Sequence, residues 1–316
     1  MTTRRELLEK HDNNYAFDVS EVLLADLARV KPLPMVSVVI PYYETGKIFD
    51  RCLHFLQRAI NQYPGQVEVI VVDDGSSKYP LLDHTNNTLI RTIVFEENQG
   101  RTAARNVGLA AARGKIIMFL DSDVLVDESL ISNHIKLHLR ATEGGKRAIC
   151  ISFFEFTDGK SEKVFKDRLT AKDINVNDFR ISCTYRETWI GCDEDKQYIG
   201  QDMQLINETG ELKTWVGQYK AWMLPNMILG GAFSVQKEEM VAVGGFDSRF
   251  KGYGFTETSA VTKMVAERGN VVVPCILGGA LHIEDQEINV PQAEKDRIFK
   301  KKHDFYFNTF IMEQIQ

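Results

Sequence analysis

Four runs of aliphatic and β-branched residues, each closed by acidic or turn residues, set the rhythm of the first 125 positions. MVSVVIPYY at 35–43 is apolar on both faces, the pattern of a strand buried in a parallel sheet. VEVIVVDDGSS at 67–77, RTIVFEEN at 91–98 and KIIMFLDSD at 115–123 repeat it. Helical patterns separate them: Ile48, Leu53, Leu56, Ile60 and Tyr63 recur near helical spacing over 47–63. GRTAARNVGLAAARG at 100–114 is alanine-rich, with Gly114 suited to its C-terminal end. Strands alternating with helices over short loops predict an α/β fold with a right-handed, doubly wound parallel sheet, whose ligands bind at the carboxyl ends of the strands. The acidic ends of the second and fourth strands then border one crevice.

Upstream, Val19, Val22, Leu23, Leu24, Leu27 and Val30 form an amphipathic stripe that Pro32 and Pro34 terminate, so residues 1–34 read as an N-terminal helical extension. Over 145–230 the periodicity is poor. A glycine-punctuated segment beginning LGGAFSVQKEE at 229 restores the strand and helix pattern as far as 274. A length of 316 residues suits one large α/β domain or two small ones. With 44% apolar and 26% charged residues the chain reads as globular, not fibrous or disordered. A net charge of −6 argues against a broad electrostatic footprint for nucleic acid or anionic lipid. No apolar run reaches membrane-spanning length, and the charged start MTTRRELLEKHDNNYAFD is unlike a signal peptide, so neither a span nor secretion is expected. Five cysteines without C-x-x-C spacing suggest reduced, buried thiols and a cytoplasmic location.

Asp121-Ser122-Asp123 closes the fourth strand. In an extended segment residues two apart project the same way, so two carboxylates would share one site, an arrangement suited to Mg²⁺ or Mn²⁺. A polar strand end capping its own turn would look the same. Asp73-Asp74-Gly75-Ser76 is likewise a turn signal, yet a carboxylate just past a buried parallel strand can also accept from a nucleobase N–H. Arg101 and Arg105 stand four apart on one helix face, able to fork onto a base, carboxylate or phosphate. Ala104, Gly108 and Ala111 would let that helix lie close on the sheet, turning an arginine along the crevice.

Taken together, VSVVIPYYE, VVDDGSS, NQGRTAARNVGLAAARG and FLDSD over 36–123 resemble the nucleotide-sugar half of family 2 glycosyltransferases with the GT-A fold. GGAFSVQKEE, VGGFDSRFKGYG and TETS resemble the acceptor half. The resemblance implies a Rossmann-like, mostly parallel sheet flanked by helices. It implies a donor half at 35–125, a variable insert of unknown role at 126–228 and an acceptor-binding, catalytic half at 229–316. Pro41, Tyr42 and Glu44 would border the uracil of a UDP-sugar, Asp73 would accept from the base, and Arg101 and Arg105 would lie near base or diphosphate. Asp121 and Ser122 would reach ribose or sugar, while Asp123, with His282, would hold Mn²⁺ or Mg²⁺. The family's loop Glu-Asp, whose Asp acts as general base, corresponds here to Thr256-Glu257, so Glu257 inherits that role with one extra methylene. Asp285 is a weaker metal candidate, and Trp189, Trp215 and Trp222 could stack on a sugar or pack in the core.

The implied reaction is inverting transfer of a sugar from a UDP-sugar to an acceptor of unknown identity, a small molecule, glycan or peptide. Two alternatives remain. A nucleotidyltransferase would also need a carboxylate pair at strand ends, but PYYETGKIFD after the first strand lacks a glycine-rich phosphate loop. A catalytically inactive binding protein would explain Thr256-Glu257 in place of Glu-Asp.

Overall fold

The computed structural model describes residues 1–27, 30–81, 90–157, 225, 231–252, 254–283 and 292–315. In chain order these form β1 (Thr2–Thr3), α1 (Arg4–Lys10), α2 (Val19–Leu23), β2 (Val36–Tyr42), α3 (Lys47–Gln62), β3 (Val67–Asp73), β4 (Ile90–Val94) and α4 (Arg101–Ala111). There follow β5 (Ile116–Leu120), β6 (Val124–Val126), α5 (Leu130–Glu143), β7 (Ala148–Thr157), β8 (Ala232–Gln236) and α6 (Lys237–Ala242). The chain ends with α7 (Thr256–Arg268), β9 (Val271–Ile283), α8 (Gln292–Asn308) and β10 (Gln314–Ile315).

Eight strands make one sheet in the order β4-β3-β2-β5-β8-β7-β9-β6. The β2, β3, β4 and β5 pairings are parallel, as is β7 with β9, whereas β8 runs antiparallel to both its neighbours and β6 antiparallel to β9. The expected α/β architecture, a mostly parallel Rossmann-like sheet flanked by helices, is observed. Alternation along β2 feeds two helical layers. Val38, Ile40 and Tyr42 pack with Phe49 and Leu56 of α3 and Ile131 and Ile135 of α5. Val39, with Ile70 and Val72, packs with Ala104 and Leu109 of α4 and Val261 and Met264 of α7. β2, β3 and β5 are buried on both faces, which is why their runs are continuously apolar, whereas β4, at the edge of the sheet, is only partly buried.

Gly108 lets α4 lie on the sheet, since a Cβ there would come within 2.3 Å of Val39 Cγ1. Gly114 has another role than the helix end expected for it. The helix ends at Ala111 with Ala112 as an extended cap, and Gly114 packs against Ser37, whose backbone N lies 2.5 Å from where its Cβ would be.

The N-terminal extension forms two short helices where one periodic stripe was expected, and Leu24 is exposed. Tyr15, Phe17, Val19 and Leu23 nevertheless pack with Leu137 of α5 and Val271 and Val273 of β9. Asn13 donates to Val272 O at 2.8 Å and accepts from Val272 N at 2.7 Å, so one side chain satisfies the edge of β9 as a partner strand would. β1 pairs with β10, bringing the two ends of the chain together. Among the described residues no helix is long and apolar enough to cross a membrane. Cys52, Cys150 and Cys275 are buried free thiols; Cys183 and Cys192 lie outside the described residues.

Beneath the sheet, His134 bridges Ser234 Oγ and Ser152 Oγ at 2.7 Å each, and His138 meets the same Ser234 hydroxyl at 2.8 Å. Burial, reinforced by the neighbouring His138, pushes the pKa of His134 down to about 3, and burial pushes that of His138 down to about 4. Both rings fold neutral. Their contribution to stability is complete above the unfolded value near 6.5 and is lost as pH falls from there towards 4 and 3, because the unfolded chain then binds the extra protons. At pH 5 the cost is about 2 kcal/mol per ring. The urea midpoint is expected to drop between pH 7.5 and pH 5, and to drop less in His138→Gln; equal drops would mean that His138 is protonated in the fold.

Candidate active site

The candidate site lies at the carboxyl ends of β2, β3 and β5. Asp121-Ser122-Asp123 forms a turn between β5 and β6 and not an extended segment, with Val124 N donating to Asp121 O at 3.4 Å. Strand alternation therefore does not orient the two carboxylates, and each has its own partner. Ser122 Oγ lies 2.7 Å from Thr45 Oγ1, joining this turn to the loop after β2. His282 is brought beside the turn by sheet register, because β9 pairs His282 with Val124. Its Nε2 lies 3.4 Å from Asp123 Oδ2.

Arg105 is fully buried, an expensive place for a cation unless carboxylates neutralise it. One arm of its guanidinium donates to Asp121 Oδ1 at 2.6 Å and the other to Glu257 Oε1. The group also lies 5.5 Å from the centroid of the Phe246 ring. The tertiary fold thus joins residues 105, 121 and 257 through one planar fork, from α4, the β5–β6 turn and the first turn of α7. Burial alone would raise the Asp121 carboxyl, but the cations Arg105 and Arg101 and the nearby His282 outweigh it and hold Asp121 below the usual carboxylate range. Asp123 is different. Burial raises it, with the like charge of Asp121 adding to the effect, and the attraction of His282 only partly compensates.

At the carboxyl end of β2, Pro41 lies opposite Val72. Tyr42 is in the core, its hydroxyl donating to Tyr79 O at 2.6 Å and accepting from Gly46 N at 3.1 Å. The ring that this strand end offers to solvent belongs to Tyr43, not Tyr42, as the period of two along a strand places neighbours on opposite faces. Glu44, at φ 54°, accepts from the N–H groups of Ser77, Lys78 and Tyr79, and these outweigh desolvation to keep its pKa low. Asp73 uses both oxygens on the following loop, accepting from Ser76 N and Leu81 N at 2.9 Å each. Asp74 takes Gln99 N at 2.7 Å and Gly100 N at 2.9 Å, tying the third strand's loop to the start of α4. Asp285, Trp189, Trp215 and Trp222 lie outside the described residues.

Asp123 Oδ1 is shielded from solvent and has no hydrogen-bond partner among the described residues. A raised, orphaned carboxylate oxygen beside an imidazole fits a divalent cation, which would supply the missing positive charge. The donor set is small: among the described residues no group of three or more His, Cys, Asp or Glu is disposed around one point. Mg²⁺ and Mn²⁺ suit such a site, being held by one or two carboxylates while substrate phosphates complete the shell.

The glycosyl transferase family 2 model matches residues 37–198. Glycosyltransferase GlyG of Streptococcus pneumoniae is 27% identical over 46% of this chain and 48% of its own length. The uncharacterized glycosyltransferase YfnE of Bacillus subtilis is 26% identical over 70% of this chain and 58% of its own length. The chain spans about half the length of the curated relatives it matches. Among solved structures, the mannosyltransferase PcManGT from Pyrobaculum calidifontis, in complex with GDP-Man and Mn²⁺, is similar over 85% of this chain and 64% of its own. The TM-score is 0.46 and the identity 15%.

Proposed function

The chain belongs to glycosyl transferase family 2, and we propose that it moves a sugar from a nucleotide sugar, UDP-linked by our reading, to an acceptor nucleophile with inversion at the anomeric carbon. The observation that carries this reading is the fork of Arg105 on Asp121 and Glu257, next to Asp123 and His282 at the parallel strand ends. Residues 35–125 serve the donor, 229–316 the acceptor, and the N-terminal helical extension at 1–34 supports the sheet.

Glu257 acts as general base. Arg105 holds Oε1, and Oε2 receives the acceptor's proton as the nucleophile attacks the face of the sugar opposite the diphosphate. The Asp121 carboxylate keeps a negative charge beside the Arg105 guanidinium throughout, so protonation of Glu257 never leaves that buried cation uncompensated. Arg101, felt electrostatically at both Asp121 and Asp123, helps neutralise the leaving-group charge that grows beside them. Tyr43, exposed at the end of β2, offers a face on which a base can stack, beside Pro41, Tyr42, Glu44 and Asp73. Asp123 and His282 would hold the cation, with Ser122 fixing the turn. When bound, Mn²⁺ or Mg²⁺ supplies Lewis-acid neutralisation of the departing diphosphate.

The test is a panel of UDP- and GDP-sugars assayed for metal-dependent hydrolysis, with calorimetry of UDP in the presence and absence of Mn²⁺. Asp123→Ala is expected to bind UDP equally with and without the metal. A metal response that survives this substitution would move the cation elsewhere. Hydrolysis of no donor would favour an inactive binding protein.

A further inference from the structure

Glu257 is carried on a turn whose backbone is unusual. Phe255, at the N-cap of α7, has φ 61°, a left-handed conformation costly for an aromatic residue and kept only where surroundings over-determine it. Here they come from the C-terminal helix. The Phe255 ring lies 5.1 Å from Tyr306, 6.3 Å from Phe307 and 6.1 Å from His303, and Phe250 on its other side is 5.1 Å from Phe310. Tyr306 and Thr262 share a hydroxyl contact of 2.7 Å, locking α8 to α7. From the same helix the buried Lys302 places Nζ 3.4 Å from Gly254 O, one residue before Phe255.

We propose that Lys302 and Phe255 are positioning residues for the transfer reaction: α8 clamps the turn 254–257 by an ammonium at Gly254 and an aromatic socket around Phe255, and so aims Glu257. This deepens the reading of Glu257 as base and rests on it. The electrostatics agree. Burial and the repulsion of Arg101 lower the pKa of Lys302 to about 8, against the attraction of Glu257, so the ammonium sits within the field of the same site. Neither residue was singled out by sequence. Lys302 lies 45 positions beyond Glu257, on a helix whose polar spacing reads as solvated surface.

The experiment compares Lys302→Met, which keeps the stem and removes the ammonium, with Lys302→Arg. Misaiming a catalytic group by about 1 Å costs about 10²-fold in turnover. Metal-dependent hydrolysis of UDP-glucose, UDP-N-acetylglucosamine and GDP-mannose is expected to lose most of its kcat in Lys302→Met, with UDP affinity unchanged and activity regained in Lys302→Arg. Independently of activity, amide exchange across 250–258 should quicken in Lys302→Met and in Phe255→Gly, while that of β2 and β5 stays unchanged. Unaltered exchange in that segment overturns the proposal, as does a loss confined to UDP affinity. In Lys302→Met/Glu257→Gln the two losses should not multiply; if they do, Lys302 acts elsewhere. Full turnover by Glu257→Gln alone would refute the base assignment without bearing on the exchange result.

Discussion

Arg105→Met is expected to unfold the protein more readily than any other single change in the crevice, by about 3–5 kcal/mol, because it leaves two carboxylates facing each other without their cation. Methionine fills much of the volume, so the loss is electrostatic and not a cavity effect. Arg105→Lys separates the two contributions. A lysine keeps the charge but reaches as a point, where the guanidinium spans Asp121 and Glu257 as a rigid fork. Its stability should recover in part while turnover stays low, since one of the two carboxylates loses its holder. Urea denaturation and hydrolysis assays on the pair decide. A wild-type midpoint for Arg105→Met would mean that both carboxylates find other partners.

Glu257→Gln should lower transfer by about 10²–10⁴-fold, the ordinary worth of a positioned general base, while UDP and metal binding persist. The amide can still accept from Arg105, so the clamp is weakened and not dismantled. Glu257→Asp adds a sharper reading. It restores the shorter carboxylate of the family loop but pulls it back from Arg105, so a loss in this variant would assign the extra methylene of Glu257 to reaching the fork. Wild-type turnover by the glutamine variant is the outcome that removes Glu257 from the mechanism.

The two substitutions probe one cluster, and their energies should not add. Arg105, Asp121 and Glu257 share hydrogen bonds, so the double variant ought to lose less than the sum of its parts. The cluster also explains the opposite behaviour of two neighbouring carboxyls. Asp121 is held ionised by Arg105, whereas Asp123, two positions further on, lies beyond the fork and has its pKa raised. Its shielded oxygen is what a divalent cation would satisfy.

Much of this protein was legible in its residues. The continuously apolar runs determined the parallel strands β2, β3 and β5, because strands covered by helices on both faces need apolar side chains in both directions, whereas β4, at the sheet's edge, is only partly buried. Gly108 signalled the close approach of α4 to β2, and D-S-D marked the end of β5 as the crevice. What the sequence left open depended on contacts between residues far apart in the chain. The period of two does not hold at 121–123 because the chain turns there, Val124 N donating to Asp121 O before β6 pairs with β9. No local pattern tells that Arg105 bridges residues 16 and 152 positions away, nor that Asn13 completes the edge of β9. Nor does any local pattern tell that Lys302 reaches Gly254. Local propensities and burial patterns choose elements. Charge pairing and edge closure are decided only when the elements pack, since a buried charge is tolerated solely beside the partner that packing brings to it.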